Sequence, residues 1–301
     1  MVIERFAPSP TGPLHLGHAY SAHLAWRAAR AAKGQFLLRL EDLDAARVRP
    51  EYAKGIEMDL AWLGLDWDGA VLHQSRRGAA YATALAWLTE LRVVFTCTCS
   101  RRDIRDAASA PQEGVAHGPD GPVYPGTCRE RGHALGPGRA LRLDMRRAIA
   151  VLGGVDEVSR LAFEEIGTGP AAETGVIALD PTTLVDAVGD IVLARRDGAV
   201  AYHLAVVVDD AFQRVTHVTR GADLFSATPI HRLLQALLGL PTPVYRHHAL
   251  VRDETGKRLA KRDDARAIAR YRDDGLTAEE VLDHARIATG LGSGAARQSC
   301  C

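Results

Sequence analysis

Short apolar blocks separated by turn-forming residues run along the first hundred positions. Val2 to Phe6 predicts a strand, broken by Pro8, Pro10 and Pro13 with Gly12 among them. An alanine-rich helix is predicted from Leu16, carrying Leu24 and Trp26, and ending at Lys33-Gly34, a basic last turn followed by a glycine cap. Gln35 to Leu40 is the next apolar strand, and it runs into the acidic cluster Glu41-Asp42-Leu43-Asp44. Strand, helix and strand in this order form a βαβ unit, which predicts a parallel sheet. Two more helical stretches, near 51–63 and 76–91, lead to Val93-Val94-Phe95.

The texture changes from 97 to 180, where prolines and glycines crowd positions 111 to 138 and arginines flank them. This stretch reads as an inserted subdomain with long loops. Regular structure returns at Asp190–Ala194, Val200–Val208 and Val215–Arg220, followed by a helix from Thr228 to Leu238. The last 60 residues read as helical, with Thr277-Ala278-Glu279-Glu280 spaced as a capping box. The predicted architecture is α/β: a doubly wound parallel sheet whose halves span 1–96 and 181–240. The insertion occupies 97–180, and a loop with a small helical appendix occupies 241–301.

A chain of 301 residues with 47% hydrophobic and 25% charged positions is ordinary for a globular protein, which excludes disorder, a fibrous repeat or a coiled coil as a description of the whole. Lys+Arg and Asp+Glu both number 37, so a nucleic-acid partner must be met by local patches and not by net charge. No apolar run approaches the roughly 20 residues of a membrane span. The opening MVIERFAPSP lacks a signal-peptide layout. A cytoplasmic monomer without a membrane partner is therefore expected. The five cysteines are too few and too odd in number for a disulfide framework. Cys97, Cys99 and Cys128 have the look of metal ligands, and Cys300 and Cys301 of a loose tail.

His15-Leu16-Gly17-His18 lies between a strand and a helix start, where unpaired backbone N–H groups and a positive dipole end suit a phosphate. Two histidines three apart can share one side of the first turn, and Gly17 lets a flat base approach the backbone. Far downstream, Arg258-Leu259-Ala260-Lys261-Arg262 follows Gly256 in a loop whose cations can close over phosphates. Each string alone has a plainer explanation, solvent-facing histidines in one case and a solvated basic face in the other.

Together with their surroundings they resemble class I glutamyl-tRNA synthetases. Arg5-Phe6-Ala7-Pro8-Ser9-Pro10-Thr11-Gly12 before His15–His18 is similar to that family's opening, and Leu38–Asp44 to its next block. Ala201-Tyr202-His203-Leu204 through Asp209-Asp210, and Thr219 to Leu224, resemble its second half-sheet. The order of these blocks from 5 to 262 makes chance agreement improbable. Only some 40 residues follow Arg262, too few for the family's anticodon-binding domain, so the chain is more similar to the shortened glutamyl-Q tRNA(Asp) synthetase family.

The resemblance implies formation of glutamyl-adenylate from L-glutamate and ATP, then transfer of glutamate to the queuosine base in the anticodon of tRNA(Asp). It implies Arg5 and Arg220 on the glutamate side-chain carboxylate, Glu41 on the α-amino group, and Ser9 and Tyr202 as hydrogen-bonding partners. His15, Gly17, His18, Arg258 and Lys261 would hold ATP, with His15, His18 and Lys261 catalytic and Mg2+ as the phosphate's companion ion. It also implies one structural Zn2+ on Cys97, Cys99, Tyr124 and Cys128, with His117 and His133 as rivals of Tyr124 for the fourth position. The chain departs from the family at Arg258, where a lysine is typical, at Ala260, where a serine is typical, and at Val206, where an asparagine contacts the α-carboxylate. Arg101, Arg102, Arg105, Arg129, Arg131, Arg146 and Arg147 could touch RNA or simply face water. A minimal glutamyl-tRNA synthetase charging a 3′ end, a small-molecule nucleotidyltransferase and a non-catalytic tRNA-binding paralogue are the competing functions.

Overall fold

In a computed structural model, which describes residues 1–108, 117–252 and 266–289, the chain opens with strand β1 (Ile3–Phe6), helix α1 (Leu16–Ala31) and strand β2 (Gln35–Leu40). Gly34 makes the return from α1 possible, because a Cβ there would stand 2.1 Å from the Val2 carbonyl oxygen. β1 and β2 pair in parallel with Arg5 opposite Leu37. After helix α2 (Pro50–Trp62), the short strand β3 (Leu72–His73) extends this half-sheet in parallel beyond β2.

Helix α3 (Gly78–Glu90) leads to β4 (Val94–Cys97), α4 (Arg101–Ala108), and the two-residue strands β5 (His117–Gly118) and β6 (Gly121–Pro122). Next come β7 (Ala140–Leu143), α5 (Met145–Val151), α6 (Val155–Arg160), β8 (Ala162–Glu165) and β9 (Gly175–Ala178). The one-turn helix α7 (Pro181–Thr183) runs on into a π-turn over Leu184–Val188, and β10 (Val192–Ala194) follows. The remaining elements are α8 (Tyr202–Phe212), β11 (His217–Gly221), α9 (Thr228–Leu238), β12 (Val244–His248), α10 (Ile268–Asp273) and α11 (Ala278–Ile287).

β7 pairs antiparallel with both β4 and β10, giving a three-stranded sheet of its own. β8 and β9 belong elsewhere. They join the order β11-β12-β8-β9, in which β11, β12 and β8 run parallel and only β9 is antiparallel. With the separate β5–β6 hairpin, residues 97–180 therefore divide among three sheets.

The last 60 residues are not all helical. β12 lies between β11 and β8 in the second half-sheet, and its Val-Tyr-Arg-His-His sequence conceals a strand because two of its inward groups are polar or amphipathic, Tyr245 and His247. The capping box at Thr277 does form: its side chain accepts from Glu280 N–H, and the Glu280 carboxylate accepts from Thr277 N–H at 2.8 Å.

The two parallel half-sheets meet edge to edge, where Thr216 N–H donates to the Ile3 carbonyl at 3.0 Å and the buried Glu4 carboxylate accepts from Thr219 Oγ1 at 2.9 Å. Such a junction, with chain leaving in opposite directions on either side, opens a crevice at the carboxyl ends of the strands. Phe6, Leu40, Gly221 and His248 close the central strands at that edge. One core fills the space around α3, α8, α9 and the second half-sheet, and another fills the space around α1, the first half-sheet and α11. α1 buries Ala19, Ala22, Ala25 and Ala29, small side chains against which α11 sets Val281 and Ala285.

Candidate active site and thiol cluster

His15 caps α1 with its own ring. Its Nδ1 accepts from Gly17 N–H at 3.1 Å, and His18 Nδ1 accepts from His15 N–H at 3.2 Å. Both Nδ1 lone pairs are thereby used, so the ring proton of each histidine lies on Nε2. The two rings lie 3.8 Å apart. Gly17 leaves room for this cap, because a Cβ there would come within 3.0 Å of the His15 ring.

The segment after Arg252 leaves from beside this motif, since Val251 is the next neighbour of the Gly17 position. It returns there too: Ala267 bridges to His15, and Ile268 N–H donates to the Leu14 carbonyl at 2.9 Å. Arg258, Ala260 and Lys261 lie outside the described residues, but the ends of their segment flank His15 and Gly17.

At the ends of β1 and β2 a set of charges converges. Asp210 of α8 accepts from Arg5 Nε at 3.1 Å and from Arg39 Nη1 at 2.7 Å. Burial opposes a charge on Asp210, but Arg5 and Arg39 outweigh it and hold its carboxyl below the usual carboxylate range. Glu41 stands 3.5 Å from Arg39 Nη2, and there burial prevails and pushes the carboxyl up. Glu41 N–H donates to the Pro8 carbonyl at 3.0 Å, which brings the half-buried Ser9 loop to the end of β2. Burial also raises the Tyr202 hydroxyl, which feels the charges of Arg220, Glu41, Arg5 and Asp210. The structure thus gathers Arg5, Glu41, Tyr202 and Arg220 around one place. Val206 is buried on the same helix as Tyr202.

Arg220 differs from Arg5 in its partners. Its Nε donates to His247 Nε2 at 3.0 Å, Nη2 to Thr228 Oγ1 at 2.7 Å, and Nη1 faces His231 Nδ1 at 3.3 Å. Burial and the neighbouring Arg220 charge push His231 well below its ordinary value, so it is neutral. No described carboxylate forms an ion pair with Arg220, which is 4% exposed. His231, His247, Asp120 and Glu165, which complete this network with His203, are absent from the residues singled out in the sequence, where His203 figures only within the Ala201–Leu204 block. Their partners lie 11 to 83 positions away, and no local spacing reveals them.

Cys97, Cys99 and Cys128 bring their sulfurs within 4.8 Å of one another. The Tyr124 hydroxyl lies 3.4 Å from Cys97 Sγ and 3.6 Å from Cys99 Sγ. Thiolates held at about 2.3 Å by a tetrahedral metal stand about 3.8 Å apart. The 3.5 Å between Cys99 and Cys128 fits that spacing, so the three cysteines could hold a metal ion. Neither His117 nor His133 joins this group. Arg142 lies over the Tyr124 ring at 4.0 Å in a cation–π contact.

Among the expected RNA contacts, Arg129 is committed to Asp190 at 2.7 Å, while Arg131 and Arg146 are exposed and Arg102 and Arg147 pair only with near neighbours. The side chains of Arg101 and Arg105 lie outside the described residues. Among the described residues no helix is long and apolar enough to cross a membrane.

The family of class I tRNA synthetases (E and Q), catalytic domain, matches residues 1–130 and 174–298. A glutamyl-Q tRNA(Asp) synthetase of Rhodobacter capsulatus is 56% identical over 93% of this chain and 98% of its own length. One from Nitratidesulfovibrio vulgaris is 42% identical over 97% of this chain and 87% of its own length. Among solved structures, a glutamate tRNA ligase from Elizabethkingia meningosepticum superposes with a TM-score of 0.70 at 24% identity, covering 94% of this chain and 59% of that one. A methionyl-tRNA synthetase of Mycobacterium tuberculosis shares the fold with a TM-score of 0.57. The chain therefore belongs to the class I tRNA synthetases of the E and Q group, and within them to the glutamyl-Q tRNA(Asp) synthetase family.

Proposed function

We propose that this ligase activates L-glutamate with ATP and transfers it to the queuosine base in the anticodon of tRNA(Asp). The observation that carries the amino-acid assignment is the buried Arg220, whose three partners are all neutral. A guanidinium buried without a carboxylate is a receptor for an anionic side chain, which it can bind in the bidentate manner of Arg–carboxylate pairs. Arg5, half committed to Asp210, supplies the second cation, and Tyr202 and Ser9 supply hydrogen bonds. Glu41 beside them takes the α-amino group.

ATP lies along the start of α1, with Mg2+ accompanying its phosphates. The Nε2–H groups of His15 and His18, together with Lys261 and Arg258, meet the phosphate charge as it develops. A glutamate α-carboxylate oxygen bonds to the α-phosphorus, and the bond to pyrophosphate breaks. A queuosine hydroxyl then attacks the activated carbonyl, forming an ester and releasing AMP. Cys97, Cys99, Tyr124 and Cys128 hold one Zn2+ that braces the segment around them and takes no part in the chemistry. The acceptor is assigned from the glutamyl-Q tRNA(Asp) synthetase of R. capsulatus, which this chain matches over 98% of its length.

The deciding experiment follows labelled glutamate onto tRNA(Asp) with and without queuosine. Transfer should require that base and survive removal of the 3′-terminal adenosine. Charging of tRNA(Glu) at its 3′ end, indifferent to queuosine, would make the protein a minimal glutamyl-tRNA synthetase instead.

A further inference from the structure

Two carboxylate–histidine chains end on Arg220, and the direction of each is set from both ends, by the arginine as donor and by the carboxylate as acceptor. A guanidinium can only donate, so the ring nitrogen facing each of its N–H groups must carry a lone pair. Arg220 Nη1 faces His231 Nδ1 at 3.3 Å, which puts the His231 proton on Nε2. That Nε2 lies 3.0 Å from His203 Nδ1, which must then accept, so the His203 proton is also on Nε2. His203 Nε2 in turn lies 3.0 Å and 3.1 Å from the two oxygens of Asp120, an acceptor-only group. The opposite arrangement would set two N–H groups against each other at each junction.

The second chain follows the same rule. Arg220 Nε donates to His247 Nε2 at 3.0 Å, leaving the His247 proton on Nδ1, which meets the Glu165 carboxylate. Glu165 is itself fixed by the N–H groups of Gly167 at 2.7 Å and His247 at 2.9 Å. A guanidinium has five N–H groups. Three are used here, one on each nitrogen, so one remains on each terminal nitrogen for a ligand.

Most of this network is buried core: His203, His231, His247, Arg220, Thr228 and Glu165. Asp120 is the exception. Its side chain is 56% exposed, and it sits at the turn of the β5–β6 hairpin, outside the parallel sheets. The hairpin is fixed from two sides. Tyr124 follows it into the thiol cluster, and Gly118 packs so closely on the π-turn that a Cβ would stand 2.4 Å from the Ala187 carbonyl oxygen.

We propose that Asp120 is a positioning residue for glutamate recognition: through His203 and His231 it sets the guanidinium of Arg220 that receives the substrate carboxylate. This rests on the glutamate reading above. The hairpin thereby tunes an amino-acid pocket that it does not line. Loss of the Asp120 acceptor frees the His203 proton to move to Nδ1, His231 loses its fixed tautomer, and Arg220 loses one of its three anchors.

Asp120→Ala and Asp120→Asn separate this role from bulk stability, because the asparagine carbonyl still accepts from His203. Asp120→Ala should raise the KM for glutamate in pyrophosphate exchange about 3- to 10-fold, the size of one hydrogen bond. The KM for ATP should stay within about twofold of wild type, and Asp120→Asn should restore most of the glutamate affinity. Imidazole 15N spectra of the unliganded protein should show His203 and His231 as Nε2–H tautomers in wild type and Asp120→Asn, and mixed tautomers in Asp120→Ala. Wild-type glutamate KM and tautomers in Asp120→Ala would overturn the proposal, as would equal losses in the alanine and asparagine variants. A wild-type protein with no glutamate-dependent exchange would instead sink the substrate assignment, leaving the imidazole spectra to decide whether the relay exists.

Discussion

Arg5 on the first strand donates its Nε–H to Asp210 on α8 across 3.1 Å, so positions 205 apart share one buried charge pair at the junction of the half-sheets. Asp210 also accepts from Arg39, whose side chain is fully buried. Replacing one member of such a group leaves the others charged and desolvated. Asp210→Asn should lower stability by about 3 kcal/mol at neutral pH, read from urea unfolding. The Asp210 carboxyl is held below its ordinary value, so its contribution is present above the unfolded pKa and fades as the pH falls through the folded one. The gap between variant and wild type should therefore close in acid. An equal gap at pH 7 and pH 3 would show that shape, not charge, is what Asp210 supplies.

The two ends of the active-site crevice should separate kinetically. Arg220→Ala should weaken glutamate use far more than ATP use in pyrophosphate exchange run without tRNA. Lys261→Ala should slow the exchange about 10²- to 10³-fold, the usual loss for one transition-state charge partner. Activation of glutamine as readily as glutamate by the wild-type protein would contradict a receptor built on an uncompensated guanidinium.

Metal content tests the thiol cluster directly. Wild-type protein should carry about one zinc per chain by elemental analysis, and Cys97→Ser should lose it. Hydrogen exchange should then rise around Cys97, Tyr124 and Cys128, which form a small core of their own with Ala140, and much less in the strands β1 and β2. Full zinc occupancy in Cys97→Ser would remove this site from consideration. Equal zinc affinity in Tyr124→Phe would remove the phenol oxygen as a ligand.

Asp59 offers a pH test away from the site. Burial pushes its carboxyl up to about 6, against the opposing pull of Arg272 at 3.5 Å. A carboxyl raised in the folded state binds more protons there than in the unfolded chain, so stability falls as pH climbs from the unfolded pKa to about 6. Asp59→Asn removes that penalty. The variant should gain on the order of 2 kcal/mol over wild type above pH 6 and almost nothing near pH 4. A gain that is the same at both pH values would mean the benefit is not electrostatic.

Local patterns exposed the elements that local forces build. The helix expected from Thr228 to Leu238 is found with those ends, because Pro229 opens it and Gly239, at positive φ, closes it. The three thiols expected to cluster do cluster, since thiols near a shared sheet edge are a recognisable chemical signal. β12 escaped because His247 and Tyr245 point into the protein, where alternating apolar residues are the usual mark of a strand. The same histidine explains why half the candidate site was missed. Arg220 was legible from its block, but Thr228, His231 and His247, which hold it, are buried polar groups whose roles exist only after α9 and β12 fold beside β11.

The closure of α10 onto the histidine motif sets an order in time. His15 and Leu14 obtain backbone partners from Ala267 and Ile268, and α11 covers α1 with Val281 and Ala285 among its buried residues. A nascent chain emerging from the ribosome can pair β1 with β2 early, since their contacts are local in sequence. Its histidine turn at the start of α1 stays uncovered until more than 250 further residues have been made and released. Premature termination anywhere upstream of α10 should therefore yield a protein that has begun its sheet but cannot finish the site at its edge.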